Sequence, residues 1–103
     1  MSITPEGKVK KQVKALLAEF GAYYNMPVTG GFGKQGGLDF NCCVNGYFLA
    51  IETKAGNNKL TPLQLAAIDQ IRAAGGVAVC INEDLIPYLR GLLIGIKSRR
   101  ASP

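Results

Sequence analysis

Residues 38–54 read "LDFNCCVNGYFLAIETK", and the way this stretch is folded decides the architecture. Asn45-Gly46 lies between two runs rich in apolar and β-favouring residues. Asn-Gly suits a two-residue hairpin turn because both central positions of that turn take positive φ. Leu38 to Val44 and Tyr47 to Lys54 are therefore expected as antiparallel strands whose paired positions sum to 91. Val44 then faces Tyr47, Cys43 faces Phe48, Asn41 faces Ala50 and Asp39 faces Glu52. Side chains two apart in a strand share a face, so Phe48, Ala50, Glu52 and Lys54 line one side while Leu49, Ile51 and Thr53 line the other.

This register sets two carboxylates opposite each other, with Cβ atoms about 5 Å apart, and places Lys54 beside them across from Gly37. Like charges opposite on a sheet are destabilising, and burial adds to the cost. A proton shared by the pair would offset the repulsion. So would Lys54 alone, or a divalent cation taking the carboxylates as oxygen ligands.

On the N-terminal side, Thr4-Pro5-Glu6 opens a helix with an N-cap threonine and proline at the first helical position, and Gly21 closes it. Val9, Val13, Leu16, Leu17 and Phe20 recur at helical spacing and form its core stripe, with Glu6 at the end of that stripe. Ala22 to Met26 is expected as a short strand ended by Pro27. "VTGGFGKQGG", with five glycines in residues 28–37, reads as a loop.

On the C-terminal side, Thr61-Pro62-Leu63-Gln64 has the pattern of a capping box and opens a helix that runs to Gly75-Gly76. Val77 to Ile81 reads as a buried strand. A last helix begins near Asp84 and carries Leu85, Ile86, Tyr88, Leu89, Leu92, Leu93 and Ile94 ahead of the basic stretch "KSRRASP". The order is αβββαβα, an α/β fold of the α+β kind on a mixed sheet. At 103 residues it is expected as one domain spanning 1–103 around one core.

Apolar residues make up 48% of the chain and charged residues 18%, which excludes intrinsic disorder. No apolar run approaches the roughly 20 residues of a membrane span. "MSITPEGKVKKQ" has no apolar stretch after its charges, so it reads as neither signal nor anchor, and a cytoplasmic location is expected. Cys42, Cys43 and Cys80 match no C-x-x-C spacing and are expected as reduced thiols packing like small hydrophobes. The chain has no histidine. That removes nucleophilic triads with a histidine base and leaves any metal site to oxygen ligands, which suits magnesium or manganese. The net charge of +5 favours polyanions such as nucleic acid, a signal many small proteins share.

Simpler roles exist for each of these residues. E-x-K is commonly a solvated strand face, Gln64 has a capping task already, and Glu6 suits the positive end of a helix dipole. The glycine loop can be a connector and the lysines of the first helix a solvated face.

Taken together, Asp39, the Glu52-Thr53-Lys54 triplet after a hairpin and the αβββαβα order resemble the PD-(D/E)xK nuclease superfamily, with its restriction-endonuclease-like core. More narrowly, the chain is similar to the virus-type replication-repair nuclease domain, VRR-NUC, in its stand-alone phage and bacterial form. The resemblance runs from about Thr4 to Ile81 and takes in Glu6, the glycine-rich approach to Asp39 and "LTPLQ". It departs from the superfamily pattern at Leu38, where a proline is usual.

The resemblance implies a catalytic set of Asp39, Glu52, Lys54, Glu6 and Gln64. Within it, Asp39, Glu52 and the Thr53 carbonyl would hold Mg²⁺ or Mn²⁺, and Lys54 would orient or activate the attacking water. It also implies a metal-dependent DNA endonuclease, structure-selective in the manner of Holliday-junction resolvases and acting as a homodimer in replication, recombination or repair. Lys8, Lys10, Lys11, Lys14, Lys34 and Lys59 would contact DNA phosphates. The last helix, apolar on more than one face, either offers a surface to a second copy or sinks wholly into the core. Competing readings are a non-catalytic nucleic-acid-binding or scaffold module on the same fold, and a small interaction protein whose basic charge is incidental.

Overall fold

In the structure, a computed structural model that describes residues 3–27 and 37–99, the chain runs in the expected order. The elements are α1 (Pro5–Glu19), β1 (Tyr23–Asn25), β2 (Phe40–Val44), β3 (Tyr47–Thr53), α2 (Pro62–Ala73), β4 (Val77–Ile81), a 3-10 turn (Glu83–Leu85) and α3 (Ile86–Ser98). Most of the glycine-rich loop, with Lys34, and the end of the basic stretch lie outside the described residues.

The hairpin forms as its turn residues require: Asn45 has φ 51° and Gly46 φ 81°. Pairing runs from Val44 opposite Tyr47 to Phe40 opposite Ile51, so the expected register holds through the whole of β2. Asn45 also does something its turn role did not announce. Its side-chain amide donates to the carbonyls of Ile96, at 2.8 Å, and Arg99, at 2.7 Å, closing the C-terminal end of α3.

The sheet order is β1-β2-β3-β4, antiparallel across the first two junctions and parallel between β3 and β4. The parallel junction needs a crossover, and α2 supplies it. The starts of α1 and α2 are capped as the sequence indicates. The Thr4 hydroxyl accepts from Gly7, and Thr61 and Gln64 form a complete capping box.

Helices cover both faces of the sheet. Val9, Val13, Leu16 and Leu17 of α1 and Leu89, Leu93 and Ile96 of α3 bury Phe40, Cys42, Val44, Leu49, Ile51, Val79 and Ile81. On the opposite side Ile68 of α2 packs with Leu38, Ala50 and Ala78. The alanines let α2 lie close to β3 and β4. Burying a residue such as Leu49 or Leu89, both fully inaccessible, contributes roughly 1.5–3 kcal/mol. α3 does not sink wholly into the core: Tyr88 and Ile94 remain more than half exposed.

Several boundaries differ from the sequence expectation. β1 is limited to Tyr23–Asn25, and α3 begins after a 3-10 turn capped by the Asn82 side chain rather than at Asp84. Cys43 is exposed, while Cys42 is buried and its thiol is pushed up to about 12 by that burial, so only part of the thiol packing holds.

The most consequential difference lies at the start of β2. Strict alternation would put Leu38 on the same face as Phe40 and Cys42. Leu38 instead packs on the α2 side, because the chain bends at Asp39 and carries it across. β2 therefore begins at Phe40, and β3 outruns it by Glu52 and Thr53.

Candidate active site

The end of β3 that β2 does not reach, paired with β4 on its other side alone, is where the acidic residues meet. With no β2 residue laddered opposite Glu52 and Thr53, Asp39 takes over that edge with its side chain. Asp39 Oδ2 accepts from the Thr53 backbone N–H at 2.9 Å and from the Thr53 hydroxyl. Asp39 returns its own N–H to Glu52 Oε1 at 3.1 Å. The expected direct cross-strand pairing of Asp39 with Glu52 is thus replaced by an exchange of backbone donors for carboxylate acceptors. Charge-assisted bonds of this kind are stronger than those of an ordinary ladder and hold both carboxylates in place.

Glu52 projects to the α2 side, where β4 sets Cys80 opposite it. Its side chain is only 4% exposed. Oε2 accepts from the Gln64 amide nitrogen at 3.0 Å and lies 3.6 Å from Lys54 Nζ. The Gln64 amide oxygen accepts from Thr61 N–H at 3.0 Å. Gln64 therefore performs the capping task and contacts Glu52 with the same side chain.

Lys54 continues the strand, its N–H donating to the Ile81 carbonyl at 3.0 Å. The loop just beyond it is clamped. Gly56 donates its N–H to both carboxylate oxygens of Glu83, at 2.6 and 3.0 Å, and its carbonyl accepts from the Asn82 amide at 3.1 Å. Neither Asn82 nor Glu83 was marked by any motif, although an asparagine two residues before Asp84 has the form of a local cap.

Glu6 reaches the cluster indirectly. Lys10 Nζ lies 3.4 Å from Glu6 and 3.8 Å from Asp39 Oδ1, so a lysine assigned in the sequence to phosphate contacts stands at the carboxylates themselves. Among the described residues, the other lysines assigned to DNA are not gathered in one place. Lys8 and Lys11 line a groove with Ile3, Pro5 and Glu83, whereas Lys14 and Lys59 are exposed.

Electrostatics follow from this placement. Burial and, after it, the Asp39 charge push the Glu52 carboxyl up to about 7, against the opposing pull of Lys54. Burial and the nearby Glu52 charge also raise the Cys80 thiol, which keeps it protonated. A desolvated pair of like charges is the situation that a bound cation relieves.

The donor set is made of hard oxygens, and no group of three or more His, Cys, Asp or Glu side chains that could hold a metal occurs among the described residues. Two carboxylates with the remaining positions left to backbone and water fit Mg²⁺, which keeps several waters and is bound through one or two carboxylates. The cluster sits at the C-terminal ends of the two parallel strands, with α2 beginning beside it, which is where open α/β sheets place their ligands.

No protein-family model and no curated protein matches the chain. Among solved structures it is similar to one described as a VRR_NUC domain, with a TM-score of 0.69 and 26% identity, covering 84% of this chain and 94% of that one. The resemblance read from the motifs and the element order is borne out, and the four-stranded mixed sheet with its three helices fits the fold of that domain.

Proposed function

We propose that this chain is a metal-dependent deoxyribonuclease that hydrolyses phosphodiester bonds, with residues 1–103 acting as one catalytic domain. The observation that carries the reading is the convergence of Asp39, Glu52, Lys54 and Gln64 at the open end of β3. The likeness to a VRR_NUC domain supports a nuclease of the PD-(D/E)xK type.

In this reading Asp39 and Glu52, with the Thr53 carbonyl, hold Mg²⁺ or Mn²⁺. When bound, the cation supplies Lewis acidity toward the phosphodiester and lowers the pKa of water there. The protein's own groups do the rest. Thr53 and the Asp39 backbone fix the two carboxylates, and Gln64 prevents Glu52 from rotating away. Lys54, tethered at Glu52 and carrying three donors, orients the attacking water and stabilises negative charge developing on the phosphoryl oxygens. Glu6 acts at the margin of the site through Lys10. Lys8, Lys11, Lys14, Lys34 and Lys59 contact phosphates without reading sequence, so binding weakens steeply with salt.

Branched or junction DNA is the proposed substrate, cut by a homodimer in which the exposed outer face of α3, with Tyr88 and Ile94, meets a second copy. The likeness to a VRR_NUC domain supports DNA as the partner, and the bacterial or phage-infected cytoplasm is the proposed setting; among the described residues no helix is long and apolar enough to cross a membrane.

The test is cleavage of four-way junction, flap and linear DNA by the pure protein with Mg²⁺ or Mn²⁺, comparing wild type with Lys54→Ala. The expected result is metal-dependent cutting that falls by about 10²-fold or more in the variant while DNA binding persists. Binding with no cutting of any substrate by the wild type would instead identify a non-catalytic nucleic-acid-binding module.

A further inference from the structure

The charge arrangement around Asp39 differs from that around Glu52. Each oxygen of Glu52 accepts a hydrogen bond, Oε1 from Asp39 N–H and Oε2 from Gln64. Asp39 Oδ2 is likewise engaged, by the Thr53 N–H and hydroxyl. Asp39 Oδ1 has a different partner, the Lys10 ammonium at 3.8 Å, which is beyond hydrogen-bonding distance. Among the carboxylate oxygens of the pair, it is the one best placed to accept a new ligand.

The two lysines also differ. Lys54 is 15% exposed and follows Glu52 by two residues on the same strand. Lys10 is 33% exposed, projects from α1 on a flexible stem, and is shared with Glu6 one helical turn away at 3.4 Å. Glu6 thus gives the ammonium an alternative place to rest on the solvent side of the cluster.

Resting on the metal-site reading above, we infer that Lys10 is a displaceable counter-ion: it compensates Asp39 in the metal-free protein and is expelled toward Glu6 when a divalent cation takes Asp39 Oδ1. The physical reason is competition. An ammonium and a divalent cation cannot share one carboxylate oxygen without repulsion, and the held charge that stabilises the empty site must be moved before the cation is bound. Lys10 therefore lowers metal affinity and raises the stability of the metal-free fold. Once displaced, it lies at the rim of the site, free to meet a substrate phosphate.

Calorimetric titration of Mn²⁺ into wild type, Lys10→Met, Lys10→Arg and Lys14→Met at fixed ionic strength tests this, together with melting curves with and without Mn²⁺. Lys14 lies a further turn along α1 and carries the same charge without a carboxylate contact, so it reports the effect of net charge alone. Lys10→Met is expected to bind Mn²⁺ about tenfold more tightly than wild type, whereas Lys10→Arg and Lys14→Met stay within about twofold of wild type. Lys10→Met should melt below wild type without metal and lose that deficit with saturating Mn²⁺. Unchanged or weaker Mn²⁺ binding by Lys10→Met, or an equal gain in Lys14→Met, overturns the inference while leaving the metal site standing. Failure of the wild type to bind Mn²⁺ overturns the metal-site reading itself, and the inference with it.

Discussion

Gln64 donates its side-chain amide to Glu52 across 3.0 Å while its amide oxygen, at the same distance, caps the backbone N–H of Thr61. The start of α2 and the carboxylate of the site are therefore held by one planar group, and the orientation of that group is set by the cap. The amide must present oxygen to a backbone donor, so only its nitrogen is left for Glu52.

Gln64→Glu separates the two tasks. The glutamate keeps an oxygen for Thr61 N–H but sets a second carboxylate against Glu52, raising the pH at which Glu52 ionises. The expected outcome is a melting temperature close to wild type at pH 6 with Mn²⁺ affinity reduced about tenfold or more at pH 7. Gln64→Ala removes both contacts, so it should also lose about 1 kcal/mol of stability. Melting curves and Mn²⁺ titrations on the two variants distinguish these patterns.

The raised Glu52 carboxyl ties stability and metal affinity to pH in opposite directions. Its ordinary value of 4.5 is lifted to about 7 in the folded chain by burial and by Asp39. The folded state therefore holds a proton that the unfolded chain releases. Stability from this group is fully present below about 4.5 and is lost as pH rises through about 7, a change of roughly 3 kcal/mol. Glu52→Gln should flatten that part of the stability profile. Divalent cations need the ionised carboxylate, so Mn²⁺ affinity should rise with pH up to about 7 and level off above it. Chelation should cost more stability at pH 8 than at pH 6, as read from urea unfolding with and without EDTA.

Asn45 offers a test far from the site. Asn45→Gly preserves the positive φ of the turn but removes the donors to the Ile96 and Arg99 carbonyls, so a loss of about 1 kcal/mol is expected. Asn45→Ala loses the same bonds and also strains a left-handed residue, adding roughly 1 kcal/mol. Urea unfolding that ranks wild type, Asn45→Gly and Asn45→Ala in descending order bears this out. Equal stability of Asn45→Gly and wild type would remove the cap from the account of α3.

What the sequence determined by itself is what short-range physics controls. Asn45-Gly46 requires positive φ at two adjacent positions, so the hairpin and its register followed without any knowledge of the rest of the chain, as far as Phe40 opposite Ile51. Thr61-Pro62-Leu63-Gln64 names a capping box whose partners are three residues apart, and it formed as read. The apolar spacing of α1 likewise selected the residues that are buried. The proximity of Asp39, Glu52 and Lys54 was legible for the same reason, since all three lie within one hairpin.

Tertiary structure decided the contacts that join distant parts of the chain. The bend at Asp39 exists because Leu38 gains burial against Ala50, Ile68 and Ala78 on the α2 side, a preference that counting along a hairpin cannot reveal. The same bend turns the Asp39 carboxylate onto Thr53 rather than into a ladder opposite Glu52. Lys10 stands at Asp39, and Glu83 holds Gly56, because packing α1 and the turn before α3 against the sheet fixes where their side chains can reach. Local backbone preference sets turns, caps and register within a few residues. Which charges face one another across the fold depends on how the helices lie on the sheet, and that is settled only when the apolar faces close.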